Sequence, residues 1–376
     1  MNAQEKDRIL SGVLVLAKDR QGAGYAVNDY APDMLGYLQQ QPGVENVRDY
    51  KGSDITVRFV DQTQVTVLLG REQHYGGGSG PSVAATPAAY PTYPVLSHPG
   101  WIRAGVIDPL WDDWPPQSTP LGIIDTLNAQ GFRVDHIKGD AVDLSFMAGL
   151  EGRRYGAIFI RTHGGTQWVG SDAKLHIMVR PFFDSWPPDS GYTGVGVFYV
   201  GTDWGNKYAY AFNDQFVSTY MSSTPFPNTL MHLLVCYGAA TEAQNDMIPA
   251  FLNRGLGCYS GWTLTASSTY GDPAAVTFFQ RLASGDTVAQ ATAHIASIGS
   301  SPDPDTGAVL VAHGNSGMHL QLPYIGNKRS KELHIATCHW AKLMALHNVR
   351  LFESVGDAQA QGYNGCASCL PAHNTG

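Results

Sequence analysis

The chain has 376 residues with 24 Lys and Arg against 32 Asp and Glu, a net charge of −8, and 43% hydrophobic residues. This length predicts two or three domains with at least one sizeable core, and the acidic balance excludes a chain-wide electrostatic trap for nucleic acid. No apolar run approaches the ~18–20 residues of a membrane span, and the stretch 9–16, short and preceded by acidic residues, does not read as a secretory signal, so a cytoplasmic protein with no membrane partner is expected.

Residues 1–75 read as a small N-terminal α+β module. A short helix is expected at 29–40. Residues 55–69 alternate apolar and polar side chains around Asp61-Gln62, as a β-hairpin does. Residues 76–99 are Gly-, Pro- and Ala-rich and predict a linker open to nicking. From 100 to 322, strands alternate with helices. Strands are expected at 103–108, 132–137, 155–161, 230–235 and 257–263, and a hairpin at 195–200 with 208–212. Helices are expected at 118–130, 142–150 and 273–282. The alternation predicts an α/β fold, a mostly parallel sheet with helices on both faces. Residues 323–376 form a third unit. From Tyr324 onward it holds five Lys/Arg and three acids, a positive excess in an acidic chain.

Two strand ends carry reactive residues. The first reads Ile160-Arg161-Thr162-His163-Gly164-Gly165 and the second Leu234-Val235-Cys236-Tyr237-Gly238. In open α/β sheets, sites form beyond the carboxyl ends of the strands. A thiolate is a nucleophile and a neighbouring imidazole can shuttle the proton to a leaving amine. Gly164 lets backbone N–H groups approach a developing oxyanion. A strand-to-helix turn at Cys236 would favour the thiolate. A single cysteine at a buried strand end is commonly only a small core residue; the paired strand ends are what point to catalysis. His313-Gly314 is a second His-Gly after a strand and competes for the histidine role. Cys258 reads as a buried structural thiol. Asp172, Asp203, Glu242, Asp272 and Trp262 are candidates for the substrate pocket.

Five cysteines make a poor disulfide framework and suit a metal cluster plus a reactive thiol. His334 and Cys338 are spaced His-x3-Cys, and Cys366 and Cys369 are spaced Cys-x2-Cys. Four such ligands in two close pairs are what tetrahedral zinc requires. A unit this short also has too little core to fold well without a staple. Ser354 to Asp357 has the pattern of a helix N-cap.

Strand-His-Gly followed later by strand-Cys resembles the clan CD cysteine peptidases, the group of caspases, metacaspases, gingipains and CHAT proteases. Leu256-Gly257-Cys258-Tyr259-Ser260-Gly261-Trp262-Thr263 is similar to the strand after the catalytic one in CHAT- and gingipain-like members, as is the run from Leu282 to Ala291 to their following segment. The resemblance spans about 100–300. It implies a caspase-like α/β/α sandwich and an endopeptidase acting on protein or peptide substrates; because an unrestrained peptidase is hazardous, control by processing or by a regulatory protein partner is expected. His163 is then the general acid/base, Cys236 the nucleophile, and the N–H groups of Gly164 and Cys236 the oxyanion donors. The context Val-Cys-Tyr-Gly-Ala matches no single subfamily pattern. The C-terminal segment resembles the Ada-like zinc modules through Tyr324-Ile325-Gly326-Asn327-Lys328, Asn348-Val349-Arg350-Leu351-Phe352 and the stretch from Gly362 to Pro371. In Ada the first ligand is a methyl-accepting cysteine. Here it is His334, which implies a structural zinc, with any nucleic-acid contact confined to this module. The alternative reading is a non-catalytic caspase-fold scaffold whose zinc module binds protein or nucleic acid.

Overall fold

The structure, a computed structural model, describes residues 1–52, 54–69, 96–202, 205–221 and 224–375. The linker expected at 76–99 falls outside the described residues as far as residue 95. The chain is a mixed α/β protein, and among the described residues no helix is long and apolar enough to cross a membrane.

The fold opens with α1 (Ala3–Gly22) and α2 (Val27–Gln39), then β1 (Val44–Tyr50), β2 (Asp54–Phe59) and β3 (Gln64–Leu68). The expected helix and hairpin are α2 and β2–β3; α1 and β1 go beyond the expectation. α1 starts at a capping box, in which Asn2 accepts from Glu5 N and Glu5 accepts from Asn2 N. Its buried residues Ile9, Leu10, Val13, Leu14 and Ala17 recur at helical spacing. Within the apolar run at 9–16, Ile9, Leu10, Val13 and Leu14 therefore form the inward face of a helix, while Val15 lies on its exposed side.

Next come β4 (Arg103–Asp108), α3 (Ser118–Ala129), β5 (Arg133–Lys138), α4 (Leu144–Ala148) and β6 (Tyr155–Arg161). The helix expected at 142–150 is shorter, because Asp143 caps it and Gly149 closes it. After β6 the chain makes two antiparallel hairpins, β7 (Gly164–Val169) with β8 (Asp172–Met178) and β9 (Val195–Thr202) with β10 (Gly205–Phe212). α5 (Asp214–Tyr220), β11 (Thr229–Leu234), α6 (Thr241–Asn245), α7 (Met247–Leu252), β12 (Leu256–Trp262), α8 (Ser268–Ala283), α9 (Val288–Ser297) and β13 (Leu310–Gly314) follow.

Among the described residues these strands form two sheets. One has the order β13-β12-β11-β6-β4-β5, parallel except for β13 at its edge. Helices cover both faces. Ile123, Phe278 and Ile295 of α3, α8 and α9 pack on one side, and Phe146, Phe216 and Phe251 of α4, α5 and α7 on the other. Every residue of β6 and β11 is buried as a result. Strands covered on both faces need continuous apolar runs.

The other sheet has the order β1-β2-β3-β9-β10-β8-β7. β3 pairs parallel with β9 (Thr66↔Phe198, Val67↔Tyr199, Leu68↔Val200), so residues 1–69 supply three of its strands and do not stand apart. α1 and α2 cover this sheet, where Ile9, Val13 and Met34 share a core with Val57, Tyr199 and Tyr208.

The C-terminal unit holds β14 (Tyr324–Asn327), β15 (Glu332–His334), α10 (His339–Leu343), β16 (Val349–Phe352), α11 (Val355–Ala360) and β17 (Asn364–Gly365). Its strands order as β16-β14-β15-β17. The expected N-cap is present: Ser354 Oγ accepts from Asp357 N at 3.0 Å. The unit docks on the N-terminal ends of β4 and β5. Arg133, at the start of β5, donates to the carbonyls of Ala341 (3.0 Å) and Met344. Ile102 joins Ile325, Ala336 and Met344 in one cluster. Gly131 has φ +93°, and a Cβ there would fall 2.4 Å from the Ala336 carbonyl oxygen, so only glycine admits this contact.

Candidate active site and metal centre

β6 and β11 are neighbours in register, with Leu233 opposite Ile160 and Leu234 opposite Arg161. Thr162 N donates to Leu234 O at 3.3 Å. His163 and Cys236 each lie two residues beyond the last pair, at one edge of the sheet. His163 is half-buried and Cys236 is 5% exposed. Between His163 and Gly164 the chain leaves the six-stranded sheet and enters the seven-stranded one. Gly164 is the point of closest approach: a Cβ there would fall 2.5 Å from the Cys236 carbonyl oxygen.

A buried ion network supports this edge. Arg161 is wholly buried and meets Asp272 of α8 through two bonds, Nε to Oδ1 (2.9 Å) and Nη2 to Oδ2 (3.0 Å). Its Nη1 donates to Trp114 O at 2.8 Å and lies 3.5 Å from Asp108 Oδ2. Burial pushes the Asp108 carboxyl up to about 6 against the pull of Arg161, and burial also raises Asp272. The Trp114 ring stacks on His163 at 5.2 Å between centroids and 24° between planes, while the Arg161 guanidinium sits 4.9 Å from the same ring. His163 is thus backed by Trp114, and Trp114 by Arg161. Trp114, Thr162, Ala266 and Ser267 line a small cleft at Cys236.

The segment after Cys236 differs from expectation. Tyr237 takes the left-handed conformation (φ 60°), with its N–H on Leu264 O at 3.0 Å. Ala239 N donates to Trp262 O at 2.8 Å. α6 begins only at Thr241 and is five residues long, so no helix terminus lies directly behind Cys236 to favour its thiolate. The Tyr237 ring meets Tyr50 edge-on at 5.3 Å, and the Lys51 ammonium lies 4.8 Å from the Tyr50 ring. The β1–β2 turn therefore packs on the residue next to the cysteine.

The remaining candidates separate clearly. His313 pairs with Tyr259 of β12, which pairs with Met231 of β11. At about 3.3 Å per residue, that is ~16 Å along the sheet from Cys236. Cys258 is buried in β12, and burial pushes its thiol up to about 12, as a structural thiol. Trp262 is wholly buried. Asp272 holds Arg161. Asp172 is exposed at the start of β8, Glu242 lies on α6, and Asp203 falls outside the described residues. Trp114, Arg161 and Asp108 were missed. One signal was available: Arg161 ends an apolar strand buried on both faces, and a charge there demands a partner.

In the C-terminal unit, the parallel pairing of Leu333 with Gly365 brings the two ligand pairs together. The ligand atoms of His334, Cys338, Cys366 and Cys369 all lie within 4.8 Å of one another. His334 Nδ1 is 3.5 Å from Cys338 Sγ and 3.9 Å from Cys369 Sγ. Zn–S bonds of ~2.3 Å and Zn–N bonds of ~2.0 Å at tetrahedral angles set such pairs ~3.6 Å apart, so the residues fit a tetrahedral metal. Burial opposes ionisation of Cys366, yet the N–H groups of Ser368 and Cys369 outweigh it and lower its pKa. Burial lowers His334, leaving the neutral imidazole a metal needs. This cluster sits at the N-terminal ends of the strands, and Cys236 beyond their C-terminal ends. Neither a protein-family model nor a curated protein matches this chain.

Proposed function

We propose that the chain is a cysteine endopeptidase of the caspase-like kind, with Cys236 as nucleophile and His163 as proton shuttle. The supporting observation is the register of β6 and β11, two neighbouring parallel strands that end in a histidine and a cysteine at one edge. A mostly parallel sheet with helices on both faces agrees with the resemblance to clan CD peptidases. In this reading, Cys236 Sγ attacks the scissile carbonyl carbon and the backbone N–H groups of Gly164 and Cys236 hold the oxyanion. His163 takes the thiol proton as the sulfur attacks and gives it to the leaving amine, then takes one from the water that cleaves the thioester and returns it to the departing sulfur. Trp114 fixes the imidazole plane, and the Arg161 network fixes Trp114. Zinc, when bound by His334, Cys338, Cys366 and Cys369, supplies a covalent staple to the C-terminal unit. Its distance from the catalytic edge favours a structural role.

The second reading is a non-catalytic scaffold that binds protein or nucleic acid through the zinc unit. The near-complete burial of Cys236 favours it. A mixed peptide library separates the two. The enzyme cleaves it, and both Cys236→Ala and His163→Ala abolish cleavage while keeping the wild-type unfolding midpoint. Undiminished cleavage by purified Cys236→Ala protein removes the peptidase reading.

A further inference from the structure

The seven-stranded sheet nearly closes on itself. β7 lies against β2 through side chains: Thr166 N donates to Asp54 Oδ2 at 2.7 Å and Trp168 N to Thr56 Oγ1 at 3.2 Å. Gln64 completes the seam in the amide orientation that satisfies both neighbours, accepting from Arg58 Nε (2.7 Å) and donating to Trp168 O (3.1 Å). At the mouth of this half-barrel lies a cavity of about 580 Å³. Small-molecule sites occupy ~300–1,000 Å³.

We propose that this cavity binds a small anionic metabolite that carries a hydrogen-bonding donor–acceptor edge beside its charge. Three observations define that chemistry. First, Gln167 lines the cavity and is 3% exposed, yet its amide has no hydrogen-bond partner among the described residues. The amide atoms reach the cavity rather than a protein partner, and a ligand edge offering one donor and one acceptor would pair with them. Second, Gly196 makes room for the Gln167 amide at the cavity wall: a Cβ there would lie 1.9 Å from Gln167 Oε1 and 3.3 Å from the His176 ring. Third, Arg58 lines the cavity with no carboxylate partner among the described residues, so a charge is left for a ligand anion to balance. Asp189 is the acid at the mouth and is exposed, with Oδ1 accepting from Gly191 N at 3.0 Å.

The rest of the wall is neutral and ordered. His176 is 1% exposed; its Nδ1 donates to Lys174 O (3.0 Å) and its Nε2 accepts from Asn213 Nδ2 (3.3 Å). Burial pushes its pKa down to about 4, so the imidazole stays uncharged and the selectivity for an anion rests on Arg58. Trp186 offers an apolar wall for a base or an acyl group. Two sources share this chemistry, a nucleoside monophosphate and an N-acyl amino acid. Binding there does not depend on the peptidase reading.

Calorimetric titration of the full chain tests the proposal, with the four nucleoside 5′-monophosphates in one arm and N-acetylglycine, N-acetylalanine and N-acetylphenylalanine in the other. One arm is expected to bind with a dissociation constant below about 1 mM. Gln167→Leu and Arg58→Met should each weaken that binding at least about tenfold, with the unfolding midpoint of Gln167→Leu unchanged. Gly196→Ala, which pushes a methyl group into the Gln167 amide, blocks the space independently. No binding in either arm at that concentration, or binding that survives both Gln167→Leu and Arg58→Met, overturns the proposal.

Discussion

Replacing Asp108 with asparagine should make the protein less sensitive to rising pH. Burial holds the Asp108 carboxyl near 6 in the fold against an ordinary 3.8, with Arg161 pulling the other way and losing. An acid raised by folding stabilises the native state only while protonated, so its contribution falls as pH climbs from the unfolded value through the folded one. At about 1.4 kcal/mol per pH unit, full ionisation costs the fold about 3 kcal/mol. About 1 kcal/mol of that is already lost at pH 4.5 and nearly all by pH 7.5. The asparagine side chain keeps the shape and still accepts from Leu110 N, the bond Asp108 Oδ1 makes at 3.0 Å. Urea unfolding of wild type and Asp108→Asn at the two pH values measures the effect. The stability difference should move in favour of the variant by about 2 kcal/mol between pH 4.5 and 7.5. A difference that stays constant, or moves the other way, means that Arg161 keeps Asp108 ionised and that the account of the network is wrong.

Trp114→Ala frees the His163 ring and widens the cleft at Cys236. It should lower kcat by about 10–100-fold and speed iodoacetamide labelling of the Cys236 peptide in mass spectrometry; unchanged labelling argues against Trp114 as the cover. The purified chain should carry one zinc by elemental analysis and lose it in Cys338→Ala, while peptide cleavage by that variant stays within about twofold because the cluster lies at the far edge. A chain starting at residue 98 lacks β1–β3 and uncovers the β9 edge with Tyr199 and Tyr208. It should aggregate on size-exclusion chromatography; a monodisperse product that cleaves peptides faster than the full chain would show instead that residues 1–97 restrain the proposed activity.

What could be read from the chain alone followed the range of the interactions. The strands that carry His163 and Cys236 are legible because burial on both faces demands unbroken apolar runs. The metal ligands are legible because each pair sits within one turn of chain. The Arg161 network is not, since Asp108, Arg161 and Asp272 come from three distant segments and each looks like a solvated charge by itself. The pairing of β3 with β9 joins residues more than a hundred apart, and no local pattern announces it. β7 was hidden by its own composition: Gly164-Gly165-Thr166-Gln167 has weak alternation and reads as a turn. α1 is a different case. Its helical spacing and its Asn2–Glu5 cap are both written in the sequence, but a short apolar run near a chain start also has the look of a membrane or secretion signal, and that likeness masks the helix.

The parallel pairing of β3 with β9 separates covalent continuity from structural continuity. A single proteolytic cut within 70–95 would give two bands on a denaturing gel, yet the smaller piece would keep its ladder with β9, its shared core around Tyr199 and Tyr208, and the contact of Tyr50 with Tyr237. The two pieces behave as a split protein: co-expressed, residues 1–69 and 96–376 should reassemble, and the second without the first should not hold its shape. Processing in that segment would therefore break the covalent link while leaving every strand of the sheet in place.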